Sequence, residues 1–210
     1  MSEALIVQQP EGVPAQLMLL FHGVGAEPRQ MLPLAQRLAH QFPQGMVVSV
    51  PGRQPADTAG AGGGRQWFSV QGISEDNRPA RIAQAMPEFI ACVRDWQQRS
   101  GATPAATALI GFSQGAIMAL ESTQLADAQQ PLGGRVVALS GRFATTPALA
   151  PPLTTLHLVH GKADGVIHYG HTVRSAEHLL QLGADLSADV IPFLGHEISD
   201  EVIDLVIQRL

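Results

Sequence analysis

The amino-acid sequence predicts an α/β fold, a three-layer sandwich in which helices cover both faces of a mostly parallel sheet of about seven strands. Apolar runs of strand length recur along the whole chain, and segments with helical spacing of apolar residues lie between them. Several runs are nearly continuous in Leu, Val, Ile and Met, which is typical of parallel strands that are buried on both faces. Strands that alternate with helices favour right-handed crossovers and a doubly wound topology.

Seven apolar runs are predicted to be strands, and five segments with helical spacing are predicted to be helices. The strands cover residues 4–7, 17–21, 46–50, 107–111, 135–139, 155–159 and 188–193. The helices cover approximately residues 31–42, 82–96, 114–125, 168–182 and 198–210. Pro87 removes a backbone donor from the second helix, so we expect a kink or a junction between two helices there. Gly183 is expected to end the fourth helix.

One long segment, residues 51–78, shows no clear periodicity and contains a Gly-rich run at residues 59–64. Loops of this length inside compact domains are usually walls or lids of functional sites, or else disordered. The Gly-rich run is not followed by Lys-Ser or Lys-Thr and does not join a strand to a helix. It is therefore interpreted as a flexible stretch rather than as a phosphate-binding loop.

The bulk composition narrows the class of protein. With 210 residues and 45% apolar side chains, the chain is expected to form a single domain over residues 1–210. The net charge of -5, with scattered Lys and Arg, argues against a nucleic-acid partner. The sequence shows no leader pattern, no apolar stretch of about 18 residues and a single cysteine, Cys92. These features predict a cytoplasmic protein without stable membrane insertion.

A Gly-x-Ser-x-Gly pattern carries the strongest functional signal. Ser113 lies between Gly111 and Gly115, directly after a predicted buried strand and before a predicted buried helix. This context is typical of a nucleophile elbow, in which a sharp turn exposes the serine hydroxyl. The two glycines fit this interpretation because strand and helix approach so closely that a Cβ would clash. The alternative is that Ser113 only caps the following helix.

Backbone N–H groups near Ser113 are candidates for stabilising an oxyanion. The N–H that follows the nucleophile belongs to Gln114, whose side chain is interpreted as incidental. A second donor is expected in the loop after the strand at 17–21, where Val24 is the first candidate and Gly23 the next. The alternative is an ordinary Gly-rich turn in which His22 makes structural hydrogen bonds.

The acid and the base are expected after the serine in the chain, each on a loop that follows a strand. Asp164 follows the strand at 155–159 and His196 follows the last strand, so both fit a Ser–His–Asp triad. In such a triad His196 takes the proton of Ser113, while ionised Asp164 orients the imidazole and stabilises its charged form. The alternatives are a solvated or helix-capping Asp164 and a loop histidine without a role.

Other chemistries fit the sequence less well. His157 and His160 are three residues apart on one predicted strand and point to opposite faces, so a metal site is not expected in this His-rich stretch. Cys92 flanks the apolar stripe of the second helix and is interpreted as a small buried residue rather than as a nucleophile.

Taken together, these motifs resemble the carboxylesterase and lysophospholipase family that includes the acyl-protein thioesterases. The matching stretches are LFHGVG at 20–25, RQWF at 65–68, GFSQG at 111–115, His160-Gly161 with Asp164, and Gly195-His196. The resemblance implies a lidless α/β-hydrolase fold without a cofactor, with strand order 1-3-2-4-5-6-7, an antiparallel first strand and the elbow strand near the middle. Gly165 replaces the proline that usually follows the acid and should leave that loop less rigid.

The implied activity is hydrolysis of short-chain esters or thioesters of small molecules, with lysophospholipase or acyl-protein thioesterase activity as the alternative. Residues 140–154 are too few for a helical lid, so we expect an open site. Trp67 and Phe68 either line the acyl-binding wall or anchor the long segment in a small satellite core. A monomer and a homodimer are both compatible with the sequence.

Two other functions are alternatives to the esterase interpretation. A non-catalytic binding module is disfavoured, because such modules typically lose the serine or the histidine that this chain keeps. A peptidase with the same triad stays open, because nothing in the sequence decides the leaving group.

Overall fold

The computed structural model describes residues 3–57, 63–125 and 130–210, and within them a seven-stranded sheet forms the centre. Its strands are β1 Leu5–Gln8, β2 Gln16–Phe21, β3 Gly45–Val50, β6 Thr107–Phe112, β7 Arg135–Leu139, β8 Thr155–Gly161 and β9 Leu186–Ile191. Two short strands, β4 Gln54–Pro55 and β5 Arg65–Gln66, pair with each other in a separate antiparallel ribbon. The sequence did not predict this ribbon.

The strand order of the main sheet is β1-β3-β2-β6-β7-β8-β9. β1 pairs antiparallel with β3, and the other neighbours are parallel. Counted over the seven strands, this is the order 1-3-2-4-5-6-7, with β6 in the central position. The predicted fold class and strand order are therefore confirmed. The carboxyl ends of the parallel strands share one edge, which is where ligand sites of such sheets lie.

The helices that cover this sheet are α1 Leu32–Gln41, α2 Arg78–Ser100, α3 Gln114–Glu121, α4 Gly170–Gln181 and α5 Asp200–Arg209. Their apolar faces contribute to two separate buried clusters. One cluster contains Phe89 of α2, Ile117 of α3 and Leu179 of α4. The other contains Leu34 of α1 and Val202 of α5. The helices therefore form two layers, one on each face of the sheet, as a three-layer sandwich requires.

The boundaries of several elements differ from the prediction. α2 continues through Pro87 as one helix, so a junction between two helices is ruled out there. α3 ends at Glu121, and a 3-10 turn at Ser122–Gln124 replaces its predicted last turn. The last strand begins and ends two residues earlier than predicted, because pairing with β8 stops at Ile191 and the backbone turns at Phe193 with φ 63°.

A network of turns around the exposed side chain of Asp57 organises the described part of the segment 51–78. Its carboxylate accepts hydrogen bonds from Gln66 Nε2 and Ser69 Oγ, both at 2.8 Å. It also accepts from the N–H groups of Val70 and Gln71 at 2.7 and 2.9 Å. These bonds, that of Gln66 first, lower the pKa of Asp57 to about 2. The network gives this stretch a defined path toward α2 although it contains little regular structure.

The surroundings of the carboxyl edge are open. Residues 140–154, between β7 and β8, contain neither helix nor strand, as expected for a chain without a cap. Residues 59–62 of the Gly-rich run, for which flexibility was expected, lie outside the described residues. Within the described ranges, no helix combines the length and the apolar character needed to cross a membrane.

Candidate active site

Ser113 occupies the turn between β6 and α3, at the carboxyl edge of the sheet. Its backbone has φ 52° and ψ -115°, a conformation that costs on the order of 1–3 kcal/mol for a residue other than glycine. The Ser113 N–H donates to the Leu139 carbonyl at 2.9 Å, which ties the turn to β7. Its side chain makes no capping hydrogen bond to α3, so the alternative of a simple helix cap does not describe this serine.

Glycines on both sides of Ser113 allow this turn. A Cβ at Gly111 would lie 2.4 Å from the Ala116 nitrogen, and a Cβ at Gly115 would lie 2.2 Å from the Phe21 carbonyl oxygen. Both contacts are with backbone atoms, which cannot move aside as the end of a flexible side chain can. The predicted steric reason for the two glycines, the close approach of strand and helix, is confirmed.

The three predicted catalytic side chains meet in one hydrogen-bonded relay. His196 Nδ1 lies 2.7 Å from Asp164 Oδ2, and His196 Nε2 lies 3.0 Å from Ser113 Oγ. Because an ionised carboxylate only accepts hydrogen bonds, Nδ1 carries the proton and Nε2 accepts from the Ser113 hydroxyl. The imidazole also packs against the Phe112 ring, with the ring centroids 4.9 Å apart. The serine therefore has a base within proton-transfer distance.

The carboxylate of Asp164 is shielded from water and supplied with donors. Its Oδ1 accepts from the N–H groups of Val166 and Ile167 at 2.8 and 2.9 Å. Burial acts to raise the pKa of Asp164, but the hydrogen bonds from His196, Ile167 and Val166 outweigh it and hold that pKa below its ordinary value. Asp164 is therefore ionised at neutral pH. The same two N–H bonds close the turn around Gly165, which acts against the loss of stiffness expected from that glycine.

His160 also contacts the acid, a role that the sequence did not reveal. Its Nε2 donates to the Ile167 carbonyl at 2.7 Å and lies 3.2 Å from Asp164 Oδ2, while its Nδ1 accepts from the Thr172 hydroxyl at 2.7 Å. Burial lowers the pKa of His160, so the ring is neutral and carries its single proton on Nε2. The available signal was its position four residues before Asp164, which places it at the end of β8 beneath the acid loop.

The loop after β2 presents the predicted oxyanion donors. His22 Nε2 accepts from the Gly52 N–H at 2.9 Å, so its Nδ1 carries the proton and donates to the Gly23 carbonyl at 2.7 Å. The Gly23 carbonyl and the Val24 N–H belong to one planar trans peptide and point in opposite directions. His22 thereby fixes the direction of the Val24 N–H. The structural role considered for His22 and the donor role predicted for Val24 are compatible.

The side chain of Gln114, predicted to be incidental, is part of the framework of the site. It is 3% exposed, and its Oε1 accepts from the Trp67 N–H at 2.8 Å while its Nε2 donates to the Phe68 carbonyl at 2.7 Å. These two bonds from one side chain to the backbone hold the long segment against the elbow. The prediction was wrong because the partners lie 47 and 46 residues away in the chain, where no local pattern connects them.

Trp67 and Phe68 divide the two roles that the sequence left open. Trp67 packs edge to face against Phe21 and Phe89, and its Nε1 donates to the His22 carbonyl at 2.9 Å. With 2% of its surface exposed, it anchors the segment in the main core rather than in a satellite core. Phe68 is also buried but lines a cavity next to the nucleophile. A substrate contact therefore stays a prediction for Phe68, and Trp67 is an anchor.

Two cavities open beside Ser113, and Val24 and Val166 line both of them. The first cavity, of about 320 Å³, has Phe68, Ile117 and Ile167 in its apolar lining, together with several charged side chains. The second cavity, of about 440 Å³, has Met31, Phe112 and Ile198 in its lining. Such a pair of adjoining cavities is suited to hold the acyl part of a substrate on one side and its leaving group on the other.

The remaining histidine and cysteine candidates have structural surroundings. In the part of the chain that the structure describes, no group of three or more His, Cys, Asp or Glu side chains could hold a metal ion. His157 Nδ1 lies 2.9 Å from Ser187 Oγ, across the pair of strands β8 and β9. Burial raises the pKa of the Cys92 thiol, which keeps it protonated and poorly nucleophilic.

The motifs and the fold agree with a known family. A family model described as Phospholipase/Carboxylesterase matches residues 2–210. The chain belongs to this family. It is 47% identical over 205 residues to Esterase YpfH from Escherichia coli (strain K12), a match that covers 98% of this chain and 86% of that protein. The resemblance inferred from the motifs is confirmed, and the chain is a carboxylic ester hydrolase.

More distant relatives include thioesterases. Acyl-protein thioesterase 1 homolog 1 from Dictyostelium discoideum is 30% identical over 147 residues, which cover 67% of this chain and 64% of that protein. Among solved structures, esterase PE8 has a TM-score of 0.85 at 26% identity, covering 99% of this chain and 96% of that chain. Acyl-protein thioesterase 2 from Zea mays has a TM-score of 0.76 at 24% identity, covering 100% and 97%. This last likeness shows the fold alone.

Proposed function

We propose that this single-domain protein is a cytoplasmic serine esterase that hydrolyses short-chain carboxylic esters or thioesters through an acyl-enzyme on Ser113. The observation that carries the proposal is the continuous relay from Ser113 Oγ through His196 to Asp164, with contacts of 3.0 and 2.7 Å. The strained elbow and the candidate N–H donors of Gln114 and Val24 support the proposal. A binding module without catalysis has no use for such a complete set of groups.

In the first half-reaction, Ser113 Oγ attacks the carbonyl carbon of the ester while His196 Nε2 takes the serine proton. The carbonyl π pair moves onto oxygen, and ionised Asp164 stabilises the imidazolium that forms. Protonated His196 then gives its proton to the departing alcohol or thiol as the bond to the acyl carbon breaks. In the second half-reaction, water attacks the acyl-enzyme with His196 as base, and the carboxylic acid leaves.

The negative charge on the former carbonyl oxygen is accepted by the N–H groups of Gln114 and Val24. Gln114 is the first residue of α3, where a backbone N–H has no partner within the helix. The Val24 N–H is directed by the bond from His22 to the Gly23 carbonyl. Because both donors are fixed before the substrate arrives, little reorganisation is needed as charge develops. Gly23 also leaves space at the nucleophile, since a Cβ there would lie 3.3 Å from Ser113 Cβ.

Short acyl chains fit this site best. The cavities of about 320 and 440 Å³ lie near the lower end of the range of ligand pockets, and no cap extends them. Each methylene buried against side chains such as Phe68 contributes about 0.8 kcal/mol, and a chain that outgrows the cavity gains nothing further.

A second candidate is hydrolysis of thioesters on S-acylated proteins. The 30% identity to Acyl-protein thioesterase 1 homolog 1 from Dictyostelium discoideum favours it. An open carboxyl edge, without helix or strand in residues 140–154, also leaves room for a large leaving group.

The test is a hydrolysis screen with the purified protein and Ser113→Ala on matched esters and thioesters with acyl chains from acetyl to palmitoyl. We expect kcat/KM to rise with chain length up to about eight carbons and then to level off, because further methylenes stay in water. A fluorophosphonate probe should label the protein once and should not label Ser113→Ala. Parental turnover by Ser113→Ala, or no turnover of any ester or thioester, overturns the proposal. An S-acylated peptide is included in the same screen. Turnover of this peptide without turnover of the small esters and thioesters supports the second candidate.

A further inference from the structure

The first cavity contains a cluster of charged side chains that the catalytic relay does not use. Arg142, in the segment after β7, lines this cavity with Glu75 and Arg78 and with His171 of α4. A neighbouring cavity of about 220 Å³ shares Arg142 and His171 with the first and adds Arg174. Three arginines therefore line two adjoining cavities, the first of which also contains the nucleophile in its lining.

Positive charge exceeds negative charge in this cluster. The first cavity and this neighbouring cavity are lined, among the described residues, by a single carboxylate, that of Glu75. Their guanidinium groups are those of Arg78, Arg142 and Arg174. The formal sum of these charges is +2, although the whole chain carries -5. A concave site of local positive charge attracts and retains anions.

The cluster also holds more hydrogen-bond donors than acceptors. Glu75 accepts from Arg142 Nη1 at 3.1 Å, from Arg142 Nη2, and from Arg78 Nη2 at 3.2 Å, so one carboxylate serves two guanidinium groups. The hydrogen bond from Arg142 contributes most to holding the pKa of Glu75 below its ordinary value. Among the described residues, Arg78 Nε is shielded from water and has no hydrogen-bond partner.

His171 lies between two of the arginines. Its Nε2 is 3.4 Å from Arg142 Nη1, and its Nδ1 is 3.4 Å from Arg174 Nη2. Burial, followed by the charges of Arg142 and Arg174, lowers the pKa of His171, so the neutral ring carries a proton on one nitrogen only. Arginine can only donate, and one of the two contacts therefore sets an N–H group against another N–H group. An acceptor that binds between these side chains relieves that conflict.

The geometry points to a binding site for an anionic oxygen group of the substrate, a carboxylate or a phosphate, at Arg142, His171 and Arg174. The inference rests on the proposed function, because the ester of the same molecule reacts at Ser113 in the adjoining space. The substrate class is an ester or thioester that carries a second, negatively charged group. A planar guanidinium suits such a group because it donates two parallel hydrogen bonds to a carboxylate or a phosphate. Glu75 holds Arg142, whose side chain is 12% exposed, in place for this contact.

Two matched pairs of esters test the site. Monoethyl adipate and ethyl adipamate differ in a carboxylate against a carboxamide, and 2-(butyryloxy)ethyl phosphate and 2-(butyryloxy)ethanol differ in a phosphate. We expect kcat/KM to favour the anionic ester about tenfold in at least one pair, which also identifies the anion, and the preference should shrink with added salt. Arg142→Gln and Arg174→Gln should each reduce the ratio of anionic to neutral kcat/KM by about fivefold or more. The two arginines are tested separately because Arg142→Gln also removes the contact with Glu75.

The matched control is Arg37→Gln. Arg37 forms an ion pair with Asp204 and does not line either cavity, so its substitution should leave the ratio at the parental value. Equal kcat/KM for both members of both pairs, or a parental ratio in both cavity variants, overturns the inference.

A binding measurement separates this inference from the proposed function. Calorimetry on Ser113→Ala with glutarate and with inorganic phosphate should give a Kd that Arg142→Gln raises about tenfold. Anion binding of this kind in a protein that hydrolyses no ester would refute the proposed function and leave the anion site standing. Hydrolysis of neutral esters without any anion binding would support the proposed function and refute the anion site.

Discussion

At the scale of single residues, the neighbouring groups decide which ring nitrogen of each histidine in the site carries the proton. His22 carries its proton on Nδ1 because its Nε2 accepts from a backbone N–H, and His160 carries it on Nε2 because that nitrogen faces a carbonyl. His196 carries it on Nδ1 because that nitrogen faces Asp164. The proposed mechanism uses the free Nε2 of His196 and the peptide that His22 holds through the Gly23 carbonyl, whereas His160 holds the acid loop through the Ile167 carbonyl.

Asp164→Asn tests the acid. The amide keeps the shape of the side chain but can donate to His196 Nδ1, which favours the tautomer with the proton on Nε2 and removes the base from Ser113. We expect kcat to fall on the order of 10⁴-fold with the free energy of unfolding changed little by comparison. Steady-state kinetics and urea unfolding of the parent and the variant measure both quantities. A rate near that of the parent would assign the acid role to another carboxylate.

His160→Phe tests whether this residue positions the acid. Loss of the Nε2–H donor frees one side of Asp164, so we expect kcat to fall at least about tenfold while KM stays near the parental value. His160→Gln keeps an N–H donor and should recover part of the rate. If His160 only fills space, both variants will lose stability and neither will show a selective loss of kcat.

At the scale of elements, the elbow is held by contacts from parts of the chain that are distant in sequence. β2 approaches Gly115 with its last carbonyl, β7 accepts the Ser113 N–H, and the segment before α2 binds the Gln114 side chain. The 3.6-residue and two-residue periods predict the strand and the helix on either side of Ser113. They do not predict these three contacts, because each one joins separate elements.

Gln114→Ala tests the link between the elbow and the long segment. The substitution leaves the buried Trp67 N–H and the Phe68 carbonyl without partners, at a cost of about 1–3 kcal/mol each. We expect the free energy of unfolding to fall by about 2–5 kcal/mol in urea titrations. Gln114→Met is the matched control for packing, because it keeps the length of the side chain and removes both hydrogen bonds, so it should lose a similar amount of stability. Parental stability of both variants would show that the segment holds its place without this side chain.

Two glycine substitutions test how close the elements lie. Gly115→Ala forces a Cβ to within 2.2 Å of a carbonyl oxygen, and we expect a loss of about 3 kcal/mol or more in the free energy of unfolding. Gly165→Ala meets nothing within 4 Å, and it should stabilise the acid loop slightly, by up to about 1 kcal/mol, by restricting the unfolded chain. Thermal and urea unfolding distinguish the two. Equal effects of both would contradict the role assigned to the elbow glycines.

At the scale of the whole molecule, the sheet brings the segments that follow five strands to one edge. The loops after β2, β6, β8 and β9 supply Val24, Ser113, Asp164 and His196, and the segment after β7 supplies Arg142. All of these strands run parallel, so their carboxyl ends coincide. Residues separated by 83 positions in the chain, such as Ser113 and His196, thereby come within hydrogen-bond distance.

As pH falls, the fold should begin to lose stability at pH values at which its carboxylates are still ionised. Burial lowers the folded-state pKa values of His22, His157, His160 and His171 below the ordinary 6.5. Below pH about 6.5 these histidines bind protons in the unfolded chain but not in the folded chain. The stability that is present at neutral pH is therefore lost as pH falls toward the folded-state pKa values. Each histidine contributes up to about 1.4 kcal/mol per pH unit. Glu121, whose pKa burial raises, acts in the opposite direction but is one group against four.

Urea unfolding between pH 8 and pH 5 measures this slope. His157→Gln should make the slope shallower, because it removes one of the four histidines. A free energy of unfolding that stays constant from pH 7.5 to pH 5.5 would contradict the assignment of neutral buried histidines.

The sequence by itself determined the order and type of the main elements and the candidates for the nucleophile, the acid and the base. Local patterns predict these features: the periods of strands and helices, the Gly-x-Ser-x-Gly turn, and the positions of Asp164 and His196 after strands. The sequence also set the family, because its motifs are spread over nearly the whole chain.

Only the tertiary structure decided which of the remaining residues serve the site. It placed Trp67 in the core, gave the Gln114 side chain a framework role, set His160 beneath the acid, and joined Arg142 to Glu75 across 67 residues. The physical reason is that a hydrogen bond or an ion pair depends on the distance between atoms in space. Outside a single helix or strand, that distance follows from how the elements pack and not from any pattern within one of them.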